Sequence, residues 1–179
     1  IDFGLSAWTQ IKKNTLLKTI STTADYELRF ELKFGGVVSG WSNILHFTAT
    51  GNNMGAYGDR VPGIWAYSNT RTLHIVTGTT SNDNDVFETH DVGSAPILVR
   101  VVVSGSTASA YFDDDRVMHR TIGARQAHAN VKVYVGDPWH AASNAKIHNM
   151  RYGLPEAFFT TNPTQVPTGL PTRAPTTAA

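Results

Sequence analysis

The chain has 179 residues, of which 41% are hydrophobic and 16% charged, and its formal net charge is +1. Because both signs of charge are scattered along the chain, there is no basic region to attract nucleic acid. The chain contains no cysteine, which excludes disulfides and thiolate metal sites, and no apolar run approaches the roughly 18 residues of a membrane-spanning helix. The composition favours one globular domain followed by a repetitive tail.

The segment 25–34, DYELRFELKF, alternates between apolar and charged residues. This period of two predicts a strand with one buried and one solvated face. The apolar face carries Tyr26, Leu28, Phe30, Leu32 and Phe34. The other face carries Glu27, Arg29, Glu31 and Lys33, whose opposite charges we expect to neutralise one another in water.

Further short strands are predicted along the chain, separated by clusters of glycine, asparagine, aspartate and proline that favour turns. In chain order they are 42–50, 63–67, 72–78, 85–90, 97–103, 108–112, 116–121, 131–135 and 145–152. No stretch keeps helical spacing for three turns. About a dozen short strands predict an all-β fold, an antiparallel two-sheet β-sandwich or jelly roll.

Two segments carry a family resemblance. The segment 96–120, PILVRVVVSGSTASAYFDDDRVMHR, resembles the paired strands of laminin-G-like domains, and 131–153, VKVYVGDPWHAASNAKIHNMRYG, resembles their closing segment. The resemblance implies the wider concanavalin-A-like jelly roll, with two antiparallel sheets of which one is concave. That fold hosts lectins, lyases, glycosidases and adhesion modules, so it does not by itself define a function.

The loop 50–65, TGNNMGAYGDRVPGIW, is a candidate calcium site. Asn52, Asn53 and Asp59, together with backbone carbonyls, could supply the oxygen ligands that Ca²⁺ prefers. Laminin-G-like domains often carry calcium in a rim loop, which the resemblance implies here. The alternative is that glycine and asparagine form turns while Asp59 pairs with Arg60 or caps the loop.

Two acidic clusters are predicted to be hairpin tips. The run NDND at 82–85 lacks the glycine and the distal glutamate of an EF-hand loop. Asp113, Asp114 and Asp115 fall in the hairpin between two strands in the laminin-G comparison. We expect these carboxylates to cap the turn and face water.

Aromatic residues near loops and strand ends offer flat faces for stacking on sugar rings. They are Trp41, Trp65, Trp139, Tyr57, Tyr67 and Tyr134. The segment GDPWHAASN makes Asp137 and Trp139 the candidate sugar-binding residues. The alternative is that Trp139 and its neighbour Pro138 only fix the chain crossover.

We predict that the chain is not an enzyme. Jelly-roll glycosidases use two carboxylates on one strand, but Glu27 and Glu31 are interleaved with cationic residues. The histidines at 46, 74 and 148 lie in predicted strands, where a hydrogen-bonded structural imidazole is commoner than a ligand. Metalloprotease, nucleophile-elbow, P-loop and dinucleotide-binding motifs are all missing from the sequence.

The chain ends in four PTxx repeats, whose prolines are Pro163, Pro167, Pro171 and Pro175. Proline fixes φ and lacks a backbone donor, so the repeat favours extended polyproline II. We therefore predict a sandwich domain over 1–157 and an extended tail over 158–179. From Pro163 the tail would reach roughly 53 Å, beyond a body about 40 Å across. It is a linker, a stalk or an arm that contacts a neighbour.

Dense threonine and proline are typical of O-glycosylated stalks. The candidate glycosylation residues are Thr160, Thr161, Thr164, Thr168, Thr172, Thr176 and Thr177, and the four repeat prolines are candidates for hydroxylation. The alternative is an unstructured linker to a further domain. The chain begins at Ile1 rather than methionine, which indicates a removed signal or pro-segment or a start within a longer chain.

The tail resembles those of O-glycosylated extracellular filament subunits, or glycofibre subunits. We therefore predict a structural subunit at the cell surface or outside the cell. Its partners would be covalent O-glycans and identical subunits in a head-to-tail filament. Phe158 and Phe159 are the candidate contacts between subunits. The alternative is a carbohydrate-binding or adhesion module with a flexible glycosylated spacer.

Overall fold

The computed structural model describes residues 1–155, which form two β-sheets packed face to face. The first sheet has the order β1-β13-β3-β8-β9-β10, with β1 (Thr9–Gln10), β3 (Tyr26–Phe34), β8 (Ile97–Ser104), β9 (Thr107–Phe112), β10 (Asp115–Thr121) and β13 (Ala145–Gly153). The second has the order β2-β11-β4-β5-β6-β7, with β2 (Leu16–Ile20), β4 (Ser42–Thr48), β5 (Gly63–Ala66), β6 (Thr72–Val76), β7 (Val86–Asp91) and β11 (Val131–Tyr134).

Both sheets are antiparallel throughout these orders, and the short strand β12 (Ala141–Ala142) adds a parallel pair to β4. The predicted all-β, two-sheet sandwich is therefore confirmed. In residues 1–155 we find no helix of the length and apolar character required to cross a membrane.

The core lies between the sheets and follows the period-two pattern of the strands. On β3 the alternate residues from Tyr26 to Phe34 are all buried in it. On β5 and β6, Ile64 and Ile75 join the same core. Because neighbouring side chains of a strand point to opposite faces, Trp65 and His74 lie on the outer face of the second sheet.

The prediction that the polar face of β3 is solvated is wrong at Glu27. Its side chain is fully buried, and its Oε1 accepts a hydrogen bond from Nε of Arg100 at 2.9 Å. β3 lies in the sheet interior between β13 and β8, so Arg100 on the adjacent strand covers this carboxylate. The charge is neutralised across strands, rather than along β3 as predicted.

The predicted acidic hairpin is confirmed. β9 and β10 are joined by Asp113 and Asp114 alone, both with positive φ, 48° and 71°. Two such residues form the tight turn whose twist matches that of paired strands. The side chain of Asp113 accepts a hydrogen bond from the amide of Leu98 at 2.8 Å, which ties the turn to β8.

The first eleven residues run along the outer edge of β13. The amide of Phe3 donates to the carbonyl of Met150 at 3.2 Å, near the end of that strand. The amide of Ile11 donates to the carbonyl of Ala145 at 3.0 Å, at its beginning. Only Thr9 and Gln10 of this N-terminal segment are regular strand.

Candidate functional site: a groove on the second sheet

A groove of about 330 Å³ crosses the outer face of the second sheet. β5 and β6 supply its floor through Trp65 and His74, and loops from both sides supply its walls. The full lining is Trp41, Asn53, Met54, Arg60, Trp65, His74, Asn84 and His140. The groove thus combines aromatic faces with polar groups that can donate and accept hydrogen bonds.

The aromatic rings along this face touch in a continuous series. The ring of Trp41 lies 4.2 Å from that of Tyr67 and 4.8 Å from that of His74, measured between centroids. Trp65 is almost completely buried, whereas Trp41 is 42% exposed. Trp41 is therefore the tryptophan of the groove whose face a ligand can reach.

Asp137 lies beneath the groove and forms hydrogen bonds with His46 and His140. Its buried carboxylate accepts hydrogen bonds from Nδ1 of His46 at 2.9 Å and Nδ1 of His140 at 2.8 Å. It also accepts bonds from the backbone amides of Trp139 and His140. Burial alone would raise the pKa of Asp137, but the bonds from His140 and His46 outweigh it and hold the pKa below its ordinary value.

His46 has a hydrogen-bond acceptor at each ring nitrogen. Nδ1 faces the Asp137 carboxylate, and Nε2 lies 2.7 Å from the backbone carbonyl oxygen of Asp59. An ionised carboxylate and a carbonyl only accept hydrogen bonds, so both ring nitrogens of His46 lie against acceptors. His46 and Asp137 therefore form a fully buried, hydrogen-bonded pair under the groove.

His140 has two neighbours at the same nitrogen. Nδ1 lies 2.8 Å from Asp137 and 3.2 Å from the indole nitrogen of Trp65, which can only donate. One nitrogen cannot donate and accept together, and we assign Nδ1 as the donor because Asp137 is ionised. Nε2 is then the nitrogen of His140 that can accept a hydrogen bond from a ligand.

Arg60 lies along the groove with its guanidinium 4.6 Å from the centroid of the Trp65 ring. Nε donates to the carbonyl of Asn53 at 2.9 Å, Nη2 to the amide oxygen of the same residue at 3.3 Å, and Nη1 to the amide oxygen of Asn84. Burial lowers the pKa of Arg60. A guanidinium remains charged after such a shift.

His74 is uncharged at neutral pH. Burial, assisted by the positive charge of Arg60, lowers its pKa to about 4. Its Nδ1 lies 3.3 Å from the hydroxyl of Tyr67 and 3.8 Å from Oε1 of Glu88. The groove therefore presents a neutral imidazole beside a fixed guanidinium.

The structure brings together most of the aromatic residues singled out from the sequence. Trp139 is 38% exposed and its ring lies 5.2 Å from that of His46 and 6.2 Å from that of Tyr134. Asp137, the other candidate sugar-binding residue, is buried below. Tyr57 lies elsewhere, against His128 and the backbone of Gln126.

The candidate calcium residues make other contacts. The Asp59 carboxylate accepts hydrogen bonds from Thr50 and from the amide of Ala56, and the oxygens of Asn53 accept from Arg60. A guanidinium on those oxygens would repel a second cation, so this arrangement does not fit Ca²⁺. Within residues 1–155, no group of three or more histidines or acids could hold a metal. The calcium site stays a prediction that the geometry does not favour.

Several groove residues were not singled out as a site from the sequence. The sequence predicts His74 only as a hydrogen-bonded histidine within a strand and Asn84 only as part of a polar hairpin tip, while His140 lies in the segment GDPWHAASN without being a candidate residue. The alternation of TLHIV and GIWA already indicates that His74 and Trp65 share a face. No sequence signal indicates that the loops carrying Asn84 and His140 fold over that face.

The tail predictions lie outside the described residues. They comprise the boundary at 157/158, the contacts Phe158 and Phe159, the prolines Pro163, Pro167, Pro171 and Pro175, and the threonines Thr160, Thr161, Thr164, Thr168, Thr172, Thr176 and Thr177. They stay predictions.

No protein family matches this chain, and no curated protein does. Among solved structures, it is similar to the native heptameric SAP-like pentraxin of Limulus polyphemus, with TM-score 0.59 and 11% identity over 85% of this chain and 77% of the other. It is also similar to Trypanosoma rangeli sialidase in complex with 2,3-difluorosialic acid, with TM-score 0.53, 16% identity and 72% coverage.

A third similar structure is the binding domain of botulinum neurotoxin DC in complex with SialylT, with TM-score 0.52 and 9% identity over 73% of this chain and 32% of the other. The chain spans only 20% of the sialidase. Identities this low show the fold alone, which is a concanavalin-A-like, two-sheet β-sandwich. The finer resemblance to laminin-G-like domains remains a resemblance in sequence.

Proposed function

We propose that this domain binds carbohydrate in the groove on the second sheet. The observation that carries the proposal is the exposed face of Trp41 beside a groove lined by Arg60, His140 and two asparagine side chains. An aromatic face stacks on the apolar face of a sugar ring, and the polar groups match its hydroxyls. A lining of aromatic faces with a small number of polar groups is typical of small-molecule binding sites.

The geometry supports binding more directly than turnover. Asp137, the carboxylate below the groove, is buried and its oxygens are already hydrogen-bonded to His46 and His140. It is therefore suited to fixing these rings rather than to reacting with a ligand. One of the similar structures contains 2,3-difluorosialic acid and another contains SialylT, which supports a sugar-binding use of the fold by analogy only. That the chain is not an enzyme stays a prediction.

The test is binding of the full chain to a panel of oligosaccharides, measured by calorimetry. We expect Trp41→Ala to weaken binding about fivefold or more, because it removes a stacking face worth roughly 1 kcal/mol or more. Trp139→Ala should weaken it less, because Trp139 packs beside the groove. Trp8→Ala is the matched control, since Trp8 is similarly exposed but lies near β13 of the other sheet. Equal loss in all three variants, or no binding by the parent, would contradict the proposal.

A structural role in an extracellular filament is a second proposal, and it depends on the tail. Its support is the PTxx repeat, whose composition suits O-glycans and whose length in a polyproline II conformation would exceed the width of the domain. In this proposal the arm of one subunit contacts the next, and the protein lies outside the cell or at its surface. The two proposals are compatible, because they use different parts of the chain.

A further inference from the structure

Arg60 is a buried cation without an ionic partner among residues 1–155. Its side chain is only 7% exposed, yet it forms no ion pair with a carboxylate in the described part of the chain. Its three hydrogen bonds go to neutral oxygens of Asn53 and Asn84. Buried charges in proteins are usually paired, so an unpaired one beside a groove needs an explanation.

The guanidinium also has N–H donors that its contacts with the two asparagines do not use. It carries five N–H groups, and three are used by the two asparagines. One N–H on each Nη therefore has no acceptor among the described residues. Both belong to a side chain that lines the groove.

The neutral contacts hold the guanidinium in one orientation. Asn53 binds Nε and Nη2, Asn84 binds Nη1, and the ring of Trp65 lies 4.6 Å away. A guanidinium fixed in this way needs little reordering before it binds a planar anion. A carboxylate is the group whose two oxygens match a pair of N–H donors.

The nearest acidic side chains do not accept hydrogen bonds from the unused N–H groups of Arg60. Asp59, Asp83 and Asp137 act on Arg60 only at longer range. Each carboxylate has its own hydrogen-bond donors: Thr50 and Ala56 for Asp59, the amide of Gly55 for Asp83, and the histidines for Asp137. They stabilise the charge of Arg60 without occupying its unused donors.

We propose that the groove is selective for saccharides that carry a carboxylate, such as a uronic or sialic acid unit. The carboxylate binds the two unused N–H groups of Arg60, and the sugar ring lies on Trp41. This inference rests on the proposed carbohydrate binding and adds the class of ligand. Since uronic and sialic acids share this chemistry, the experiment must separate them.

The test compares each acidic sugar with its own neutral derivative. The full chain is titrated with mannuronate trisaccharide and with sialyllactose, and then with the same sugars after their carboxyl groups have been reduced to alcohols. We expect at least one acid form to bind about tenfold or more tightly than its reduced form, as for a hydrogen-bonded charged group. The acid whose affinity falls on reduction identifies the source of the carboxylate.

The outcomes separate this inference from the proposal on which it rests. Equal binding of acid and reduced forms, or binding of neutral sugars only, would overturn the carboxylate selectivity and leave carbohydrate binding in place. Failure of every sugar in the panel to bind would overturn both.

Variants test the role of the guanidinium. Arg60→Gln should abolish the preference for the acid form, and Arg60→Lys should reduce it, because an ammonium keeps the charge but lacks the paired donors. Arg116→Gln, at an exposed arginine of β10 on the other sheet, should keep it. If Arg60→Gln fails to fold, the comparison of acid and reduced sugars on the parent chain still decides the question.

Discussion

His74 occupies the floor of the groove as an imidazole that its surroundings keep neutral. Its side chain is 12% exposed, and protonation would place a second positive charge near Arg60. Because its pKa is about 4 in the folded chain and near 6.5 in the unfolded chain, the unfolded state binds a proton more readily between these values. Folding stability should thus fall as the pH falls through this window.

We predict that His74→Gln flattens this part of the stability profile. The parent should lose up to about 3 kcal/mol between pH 6.5 and pH 4 through this residue, and the variant should lack that contribution. Urea unfolding at several pH values measures the free energy of unfolding of both proteins. The difference between the two proteins at each pH cancels the contributions of other histidines such as His128. A difference between the two curves that does not change with pH would contradict the assignment.

At the scale of single elements, β5 shows how a strand of four residues shapes the groove. Gly63 lies beneath the Trp65 ring, so closely that a Cβ on this glycine would be 2.2 Å from the ring. Because glycine has no side chain, the indole of Trp65 can lie flat against the sheet, and the floor of the groove stays close to the backbone of β5. The strand could be predicted from GIWAY, but the need for glycine could not, since it depends on the rotamer of Trp65.

We predict that Gly63→Ala displaces Trp65 into the groove. The cost should be about 1–3 kcal/mol of folding stability, the usual range for overpacking, together with weaker sugar binding. Thermal unfolding and calorimetry measure the two effects. Gly36→Ala is the control, because its Cβ would meet only the side-chain amide of the exposed Asn144. Unchanged binding by Gly63→Ala would show that the ring does not set the shape of the floor.

At the scale of the whole molecule, the alternation of apolar residues predicted the sandwich and most of its strands. The same pattern indicates which side chains share a face, as for Trp65 and His74. It could not predict the groove, because Trp41, Arg60 and His140 come from separate loops whose positions depend on long-range contacts such as that of His46 with Asp137. It also failed at Glu27, because burial of a charge depends on a partner from another strand.

The tail should be dispensable for the sandwich and essential for any polymer. Deleting 163–179 removes no residue of the core described above, so we expect a folded monomer with unchanged thermal stability and unchanged sugar binding. If the filament proposal holds, native fibres should no longer form, as judged by electron microscopy. Fibres that persist after the deletion would contradict the role of the arm.

The N-terminal segment along β13 has a consequence for how the molecule behaves in a crowded solution. It occupies backbone groups of a nine-residue strand that would otherwise be open to pairing. Removing residues 1–11 would leave that edge as a template for another molecule, and light scattering should then detect self-association. The segment contributes little regular structure, yet it covers the edge of β13 and so prevents that strand from pairing with a strand of another molecule.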